Sequence, residues 1–185
     1  DIAKSIDGGE NVFVIDSKPV KVCQLARAKR CVMGNDNPQS APSKGFCASQ
    51  QMYYYGYKLH AICGISGVIH SYDITAANVH DIHYLDDAKW DYHDCLMLGD
   101  IKLEVPCRLN QKNWRNPSWA YRRFRKRIET VFSQLNDQFM MVRNYAKQTG
   151  GLFTRTAAKI AAMTVLQYIN FCNHRKIGLV KDALF

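Results

Sequence analysis

The sequence predicts an α/β domain in which a mixed β-sheet is flanked by helices. Short apolar or alternating runs typical of strands fill the first half of the chain, and two long stretches with apolar residues at helical spacing fill the last third. The chain has 185 residues, of which 47% are hydrophobic and 22% charged, as in ordinary globular proteins. We therefore predict one domain over residues 1–185 and exclude wholesale disorder.

The first apolar run, NVFVID at 11–16, contains β-branched residues and predicts a short buried strand that ends at Asp16. Pro19 blocks a simple continuation, because proline lacks the N–H that a strand ladder needs. Residues 23–51 mix basic residues with Asn, Pro, Ser and Gly without periodicity. We predict an insertion or a long loop there.

A hairpin is predicted next. YYYGYKLHAICG at 53–64 alternates, with Lys58 and His60 on one face, and VIHSYDIT at 68–75 follows after a glycine-containing turn. CLMLGD at 95–100 is a second short apolar run that ends in an aspartate, and KLEVPCR at 102–108 has the pattern of a further strand.

Three helices complete the predicted domain. The first begins near Asn78, which stands three residues before Asp81 as in a helix cap. The second runs from Ser118 to about Phe139, and the third covers about 152–173, because apolar residues recur in both at spacings of three and four.

The junction of Asp100 with Ile101 is anomalous. One predicted strand ends where the next begins, although even a tight hairpin needs about two turn residues and a parallel neighbour needs a dozen or more. Either the two runs form one long strand, or residues are missing between positions 100 and 101. We favour a chain break with missing residues.

The charge balance predicts a polyanionic partner. Lys and Arg number 25 against 16 Asp and Glu, a net charge of +9. No run reaches the ~18 apolar residues of a membrane span, and seven cysteines without tight pairs favour a reducing compartment, so we expect a cytoplasmic protein. Because the sequence begins at Asp1 rather than Met, we expect a fragment of a longer chain.

Three acidic residues stand apart by position. Asp16 and Asp100 end apolar strands, and Glu129 lies one step from the apolar face of the long predicted helix. Converging carboxylates repel one another unless cations lie between them, and hard oxygen ligands suit Mg²⁺ or Mn²⁺. Two ions ~3.5 to 4 Å apart can hold the attacking and leaving oxygens of a phosphoryl displacement, which predicts cleavage or transfer at a DNA phosphodiester.

Each acid also has a simpler interpretation. Asp16 and Asp100 could be ordinary turn residues, and Glu129 could form a surface ion pair with Arg125, four residues earlier on the same helix. Only the combination of strand, strand and helix in that order favours a shared site.

Five motifs together resemble the catalytic half of a bacterial insertion-sequence transposase of the DDE class. They are FVIDSKPV at 13–20, YGYKLHAICG at 55–64, DITAANVHD at 73–81, LGD at 98–100 and RRFRKRIETVFSQL at 122–135. The resemblance implies an RNase H-like fold, with Asp16, Asp100 and Glu129 as the metal-binding acids. It further implies magnesium-dependent movement of the element's own DNA ends, by a dimer or larger assembly on paired ends. End recognition is expected to depend on a DNA-binding region upstream of Asp1.

The sequence departs from this family pattern in two places. Related transposases often have a tyrosine three residues before Arg125 and a lysine seven after Glu129, where this chain has Arg122 and Asn136. The family also continues after the second aspartate with a lysine-glycine-tyrosine-like stretch and a helix, which are absent after Asp100. If that loss is genetic, the protein is expected to be inactive.

Basic and aromatic residues near the predicted site are candidates for contact with DNA, since phosphates attract cations and unpaired bases stack on aromatic rings. They are Lys18, Lys58, His60, Arg122, Arg123, Arg125, Lys126, Arg127 and Trp114. The simpler interpretation of the helical cations is a solvated basic face, and that of His60 is a hydrogen-bonded structural histidine. His80 and Asp81 are assigned at most a supporting role, Asp81 being explained as a helix-capping acid, and no zinc site is predicted at Cys23 and Cys31.

The leading hypothesis is a transposase catalytic domain that cleaves element ends and joins them to target DNA. Two alternatives stay open: a nuclease or resolvase of the same fold, and a catalytically inactive DNA-binding fragment that competes for ends or joins intact subunits.

Overall fold

The computed structural model describes residues 2–35, 37–88, 90, 92, 95–99 and 119–184. In chain order its helices and strands are α1 (Ile2–Asp7), β1 (Val12–Cys23), β2 (Ser43–Cys47), β3 (Met52–Gly64), β4 (Ile69–Ala76), α2 (Asp81–Ala88), β5 (Leu96–Gly99), α3 (Trp119–Asp137) and α4 (Thr149–Cys172). Three short 3₁₀-helices cover Leu25–Arg30, Pro38–Ser40 and Val180–Leu184.

The strands form one mixed sheet in the order β2-β3-β1-β5, and β4 also pairs with β3. β1 is antiparallel to β3 and parallel to β5. Along its other edge, β3 pairs first with β2 and then with β4. The predicted class is confirmed: the five described strands form a mixed sheet flanked by helices, an arrangement consistent with an RNase H-like fold.

Most of the predicted elements are found. The alternation at 53–64 and the run at 68–75 form the antiparallel hairpin of β3 and β4, and the apolar run at 95–100 forms β5. The two long helices agree with the predicted ones to within a few residues. The predicted strand at 102–108 and the expected break after Asp100 lie outside the described residues.

The prediction that the first strand ends at Asp16 was wrong. β1 continues through Pro19 to Cys23 and stays paired with β3 over this length. Within the described part of the chain, β5 pairs only with Val12–Ile15, so the missing N–H of Pro19 costs no described strand a ladder bond.

The segment predicted as an insertion or long loop at 23–51 is only partly irregular. It contains β2, which pairs with the start of β3, and two of the 3₁₀-helices. β2 is short and carries a glycine at its centre, Gly45, so its sequence has no clear alternation of apolar residues.

The sheet is covered on both faces because successive strand residues point to opposite sides. On one face Val14, Tyr57 and Leu59 belong to the main apolar core, together with Ile128 of α3 and Ile160 of α4. The opposite face packs against α2 and forms a separate cluster, whose members include Phe13, Ile15, Ile62, Tyr84 and Leu85. No helix of the described residues has the length and apolarity needed to cross a membrane.

Replacing Leu59 by alanine should test the assignment of the main core. Leu59 is fully buried in β3, so Leu59→Ala should lower the free energy of unfolding by about 2–5 kcal/mol, measured by urea denaturation. The matched control is Leu96→Ala, at a leucine of β5 that is 54% exposed, which should cost less than about 0.5 kcal/mol. Equal losses in both variants would contradict this core.

Candidate active site

A groove of about 520 Å³ runs beside the second half of β1. Residues from β1, the β2–β3 turn, α2 and α3 line it. Three carboxylates reach it from different elements, namely Asp16 of β1, Asp81 of α2 and Glu129 of α3. The groove therefore gathers acids that are far apart in sequence.

Asp16 faces α3 because its strand alternates. Val14, two residues earlier, belongs to the main core. Asp16 lies on the same face of the strand and lines a cleft together with Arg125 and Ile128. The cleft also contains Gly99, whose strand neighbour is Ile15. The end of β5 thus lies beside the position of Asp16.

Gly99 permits this close approach of β5 to β1. A Cβ atom at Gly99 would clash with Cγ2 of Ile15, so any other residue at this position would force Ile15 or its surroundings to move. Asp100, the second predicted acid, follows Gly99 in the chain but lies outside the described residues.

Glu129 combines the two interpretations that the sequence left open. Its Oε1 lies 3.3 Å from Nε of Arg125, so the predicted ion pair within the helix is present. Both side chains are nevertheless partly exposed and line the groove that also contains Asp16. A surface ion pair at this spacing contributes little to stability. Glu129 can therefore exchange Arg125 for another cation at a small cost in free energy.

Lys18 ties β1 to α3 beside these acids. Its Nζ donates a hydrogen bond to the carbonyl oxygen of Phe132 at 3.3 Å and lies 5.7 Å from the centre of the Phe132 ring. Burial lowers the pKa of Lys18, while the charges of Asp137, Cys47 and Asp16 act in the opposite direction. A direct contact between Lys18 and DNA, which was predicted, would have to compete with this link to α3.

Asp81 is the centre of a polar network that sequence reasoning missed. Its Oδ1 lies 2.7 Å from Nζ of Lys58 and 3.6 Å from Nδ1 of His60, and its Oδ2 accepts a hydrogen bond of 3.1 Å from Oγ of Ser17. Lys58 also donates to the carbonyl oxygen of Val79 at 2.9 Å. The network therefore links α2 to the residue that follows Asp16.

The capping role that the sequence suggested for Asn78 and Asp81 was wrong. Asn78 accepts a hydrogen bond from Oγ of Ser43 through its Oδ1, and the N–H of Ile82 is instead directed at Nδ1 of His80. Asp81 instead forms an ion pair with Lys58, which β3 places beside it. The shared face of Lys58 and His60 was visible in the alternation, but their acidic partner was not.

His60 is a structural histidine, as its simpler interpretation proposed. The ring is 1% exposed, its Nε2 is 2.8 Å from Oγ1 of Thr75, and it packs against the ring of Tyr84. Burial lowers the pKa of His60 below its usual 6.5, and Lys58 acts in the same direction against Asp81 and Asp73. At this depth His60 does not offer its ring to DNA.

A family model described as a transposase DDE domain matches residues 7–100, slightly more than half of the 185 residues. The chain belongs to this transposase family. No curated protein and no solved structure matches it. The matched region contains β1 to β5, and hence Asp16, Lys58 and Asp81, whereas Glu129 lies beyond it.

The helix that carries Glu129 gives this transposase domain cations of two kinds. Arg122, Arg123 and Lys126 are exposed. Arg127 instead lies against the backbone of two turns, because Cβ atoms at Gly67 and Gly178 would fall 3.1 and 3.0 Å from its side chain. Trp114, the predicted stacking residue, lies outside the described residues.

Asn136, where related transposases often carry a lysine, also lines the groove. Its Oδ1 is buried and accepts no hydrogen bond from the described residues. The departure from the family signature therefore replaces a cation in the groove by a neutral amide.

The stability of the domain should decrease on mild acidification because of His60. Between about pH 7.5 and 5.5 His60 is protonated more readily in the unfolded chain than in the folded state, because burial lowers its pKa. The free energy of unfolding therefore falls as the pH falls. Urea denaturation across this range should show a shallower decline in His60→Gln than in the wild type. The control is His83→Gln, at an exposed histidine of α2. An unchanged slope in His60→Gln would contradict the assignment.

Proposed function

We propose that this domain is the catalytic part of a DNA transposase that cleaves insertion-sequence ends and transfers them to target DNA. One observation carries the proposal: Asp16 and Glu129, which are far apart in sequence, line the same groove, and Asp16 also shares a cleft with Gly99. Membership of the transposase family supports DNA as the partner. Because two element ends must be joined in one reaction, a dimer or larger assembly on DNA in the cytoplasm is part of the proposal.

The proposed metal ligands are Asp16, Asp100 and Glu129, holding two Mg²⁺ or Mn²⁺ ions. The donor chemistry fits, since hard carboxylate oxygens are what these cations prefer. The described residues contain no group of three His, Cys, Asp or Glu side chains suited to one ion, and the proposed set needs Asp100 to be complete. The ions would stabilise the attacking and leaving oxygens of an in-line phosphoryl displacement.

The neighbouring residues have positioning roles in this proposal. Lys18 links β1 to the backbone of α3 and so maintains the separation of Asp16 and Glu129. Arg125 is paired with Glu129 and lines the cleft that contains Asp16, and its charge offsets the negative charge of these acids. Asp81 holds Ser17, next to Asp16 in the chain, and so restrains the backbone at the site.

Contact with DNA phosphates is assigned to Arg122, Arg123, Arg125 and Lys126. Arg122 precedes Arg125 by three residues and Lys126 precedes Glu129 by three, so the helical repeat places both beside the groove. His60 is left out of this set because its ring is buried, and Lys58 because its charge is engaged by Asp81. Arg127 faces the Gly67 turn and is assigned a packing role.

Cleavage of labelled DNA that carries an element end should test the activity. With Mg²⁺ or Mn²⁺, Asp16→Ala and Glu129→Ala should each reduce cleavage by at least about 100-fold, because even residues that only support metal ligands contribute 10- to 100-fold. DNA binding without divalent ions should be retained in both variants. The control is Ser133→Ala, which lines the same groove without a carboxylate and should cleave nearly as well as the wild type.

The outcomes separate the alternatives. Cleavage followed by joining to a target plasmid supports a transposase, whereas cleavage without joining supports a nuclease of the same fold. Binding without any product would support the inactive fragment. Undiminished cleavage in Asp16→Ala and Glu129→Ala would overturn the proposed site.

The salt dependence of DNA binding should report the phosphate contacts. If the four assigned cations each neutralise one phosphate, the logarithm of the association constant should fall with the logarithm of salt concentration at a slope of about −3.6, from about 0.9 per contact. Arg122→Gln should make this slope shallower by about 0.9, measured by fluorescence anisotropy. Lys181→Gln, in the exposed part of the last 3₁₀-helix, should leave it unchanged. Identical slopes in all three proteins would contradict the role of Arg122.

A further inference from the structure

An exposed aromatic pair lies beside the groove. Phe46 of β2 and Tyr53 of β3 are directly opposite each other in the ladder, and their ring centres are 4.9 Å apart. Phe46 is 54% exposed and Tyr53 is 55% exposed, although their strand neighbours Cys47 and Tyr54 are buried. The pair thus presents two large rings to solvent, which the proposed chemistry at the carboxylates does not use.

The pair is continuous with the groove of the proposed active site. Phe46 lines this groove together with Asp16 and Glu129. The groove follows α3 from Glu129 to Asn136, a distance of about 10 Å at 1.5 Å per residue. This distance corresponds to about three nucleotide steps of 3.4 Å each, so a groove lined by both Phe46 and the carboxylates has room for a short stretch of one DNA strand.

The charge around the rings favours a nucleic acid over a protein partner. Nζ of Lys44 lies 4.3 Å from the centre of the Tyr53 ring, and Lys21 lines the adjoining wall of the groove. No Asp or Glu occurs anywhere in residues 37–72. Aromatic rings accompanied by cations are the features of surfaces that stack unpaired bases and bind their phosphates.

We propose that Phe46 and Tyr53 form a stacking platform for an unpaired base close to the cleaved phosphate. This inference rests on the proposed function, since it assumes that DNA lies in the groove. Within a duplex both faces of each base are covered by its neighbours, so the platform selects single-stranded or frayed DNA. Its role is to hold the strand that leaves or enters the carboxylate site.

Binding to three DNA probes should test the platform. They are a blunt duplex, the same duplex with a single-stranded thymidine tail, and that tail with abasic sugars in place of its thymidines. Without divalent ions, wild-type protein should bind the thymidine tail about 10-fold more tightly than either other probe. Phe46→Ala should remove this preference and leave blunt-duplex affinity unchanged, while Phe46→Trp should keep it.

Tyr72→Ala is the matched control, because Tyr72 is a partly exposed aromatic of β4 that does not line the groove, and it should keep the preference for the tail. Circular dichroism and the Tm of each variant show that it is folded. The platform is disproved if wild-type protein binds the thymidine and abasic tails equally, or if folded Phe46→Ala keeps its preference.

The two proposals fail separately. If the protein prefers the thymidine tail through Phe46 but never cleaves DNA, the stacking platform is supported and the transposase activity is not. If the protein cleaves DNA through Asp16 and Glu129 but binds the thymidine tail no more tightly than the other probes, the activity is supported and the platform is not.

Discussion

The pairing of β1 with β3 determines which side chains reach the groove. In the observed register Asp16 lies opposite Ala61 and points toward α3, while Ser17 lies opposite His60 and points toward α2. A shift by one residue would exchange these directions, because the side chains of a strand alternate. The register is held by apolar residues on both faces of β3, such as Leu59 and Ile62, which are fully buried. The geometry of the polar site therefore depends on apolar packing.

Two acids of the groove, Asp81 and Glu129, have different surroundings. Asp81 is bound to Lys58 and Ser17 and lies near a buried histidine, so its position is restrained from several sides. Glu129 is more exposed and is paired with one arginine of its own helix. The first arrangement suits a residue that holds the scaffold, and the second suits a residue that can exchange one cationic partner for another.

Much of the fold and part of the site could be predicted from the sequence. The alternation of β3 and the helical repeat of α3 are local patterns, and they placed the hairpin and the apolar face beside Glu129 correctly. The extent of β1 could not be predicted, because a strand accepts a proline only where its N–H is not needed, and this depends on how Pro19 pairs in the sheet. The partner of Lys58 could not be predicted either, since it depends on how α2 packs against the sheet. Asp81 had been explained by a local cap, which the tertiary contacts of Asn78 and His80 displaced.

Pro19 has a consequence for association between chains, because it lies on the side of β1 where none of the described strands pairs with it. An exposed strand edge is a template on which another polypeptide can add a strand and begin to aggregate. Pro19 offers no N–H to such a strand, and Lys18 and Lys21 on either side of it add charges that oppose close packing. Along the described part of this edge, the proline and the two lysines oppose β-augmentation and favour a ligand that binds through side chains.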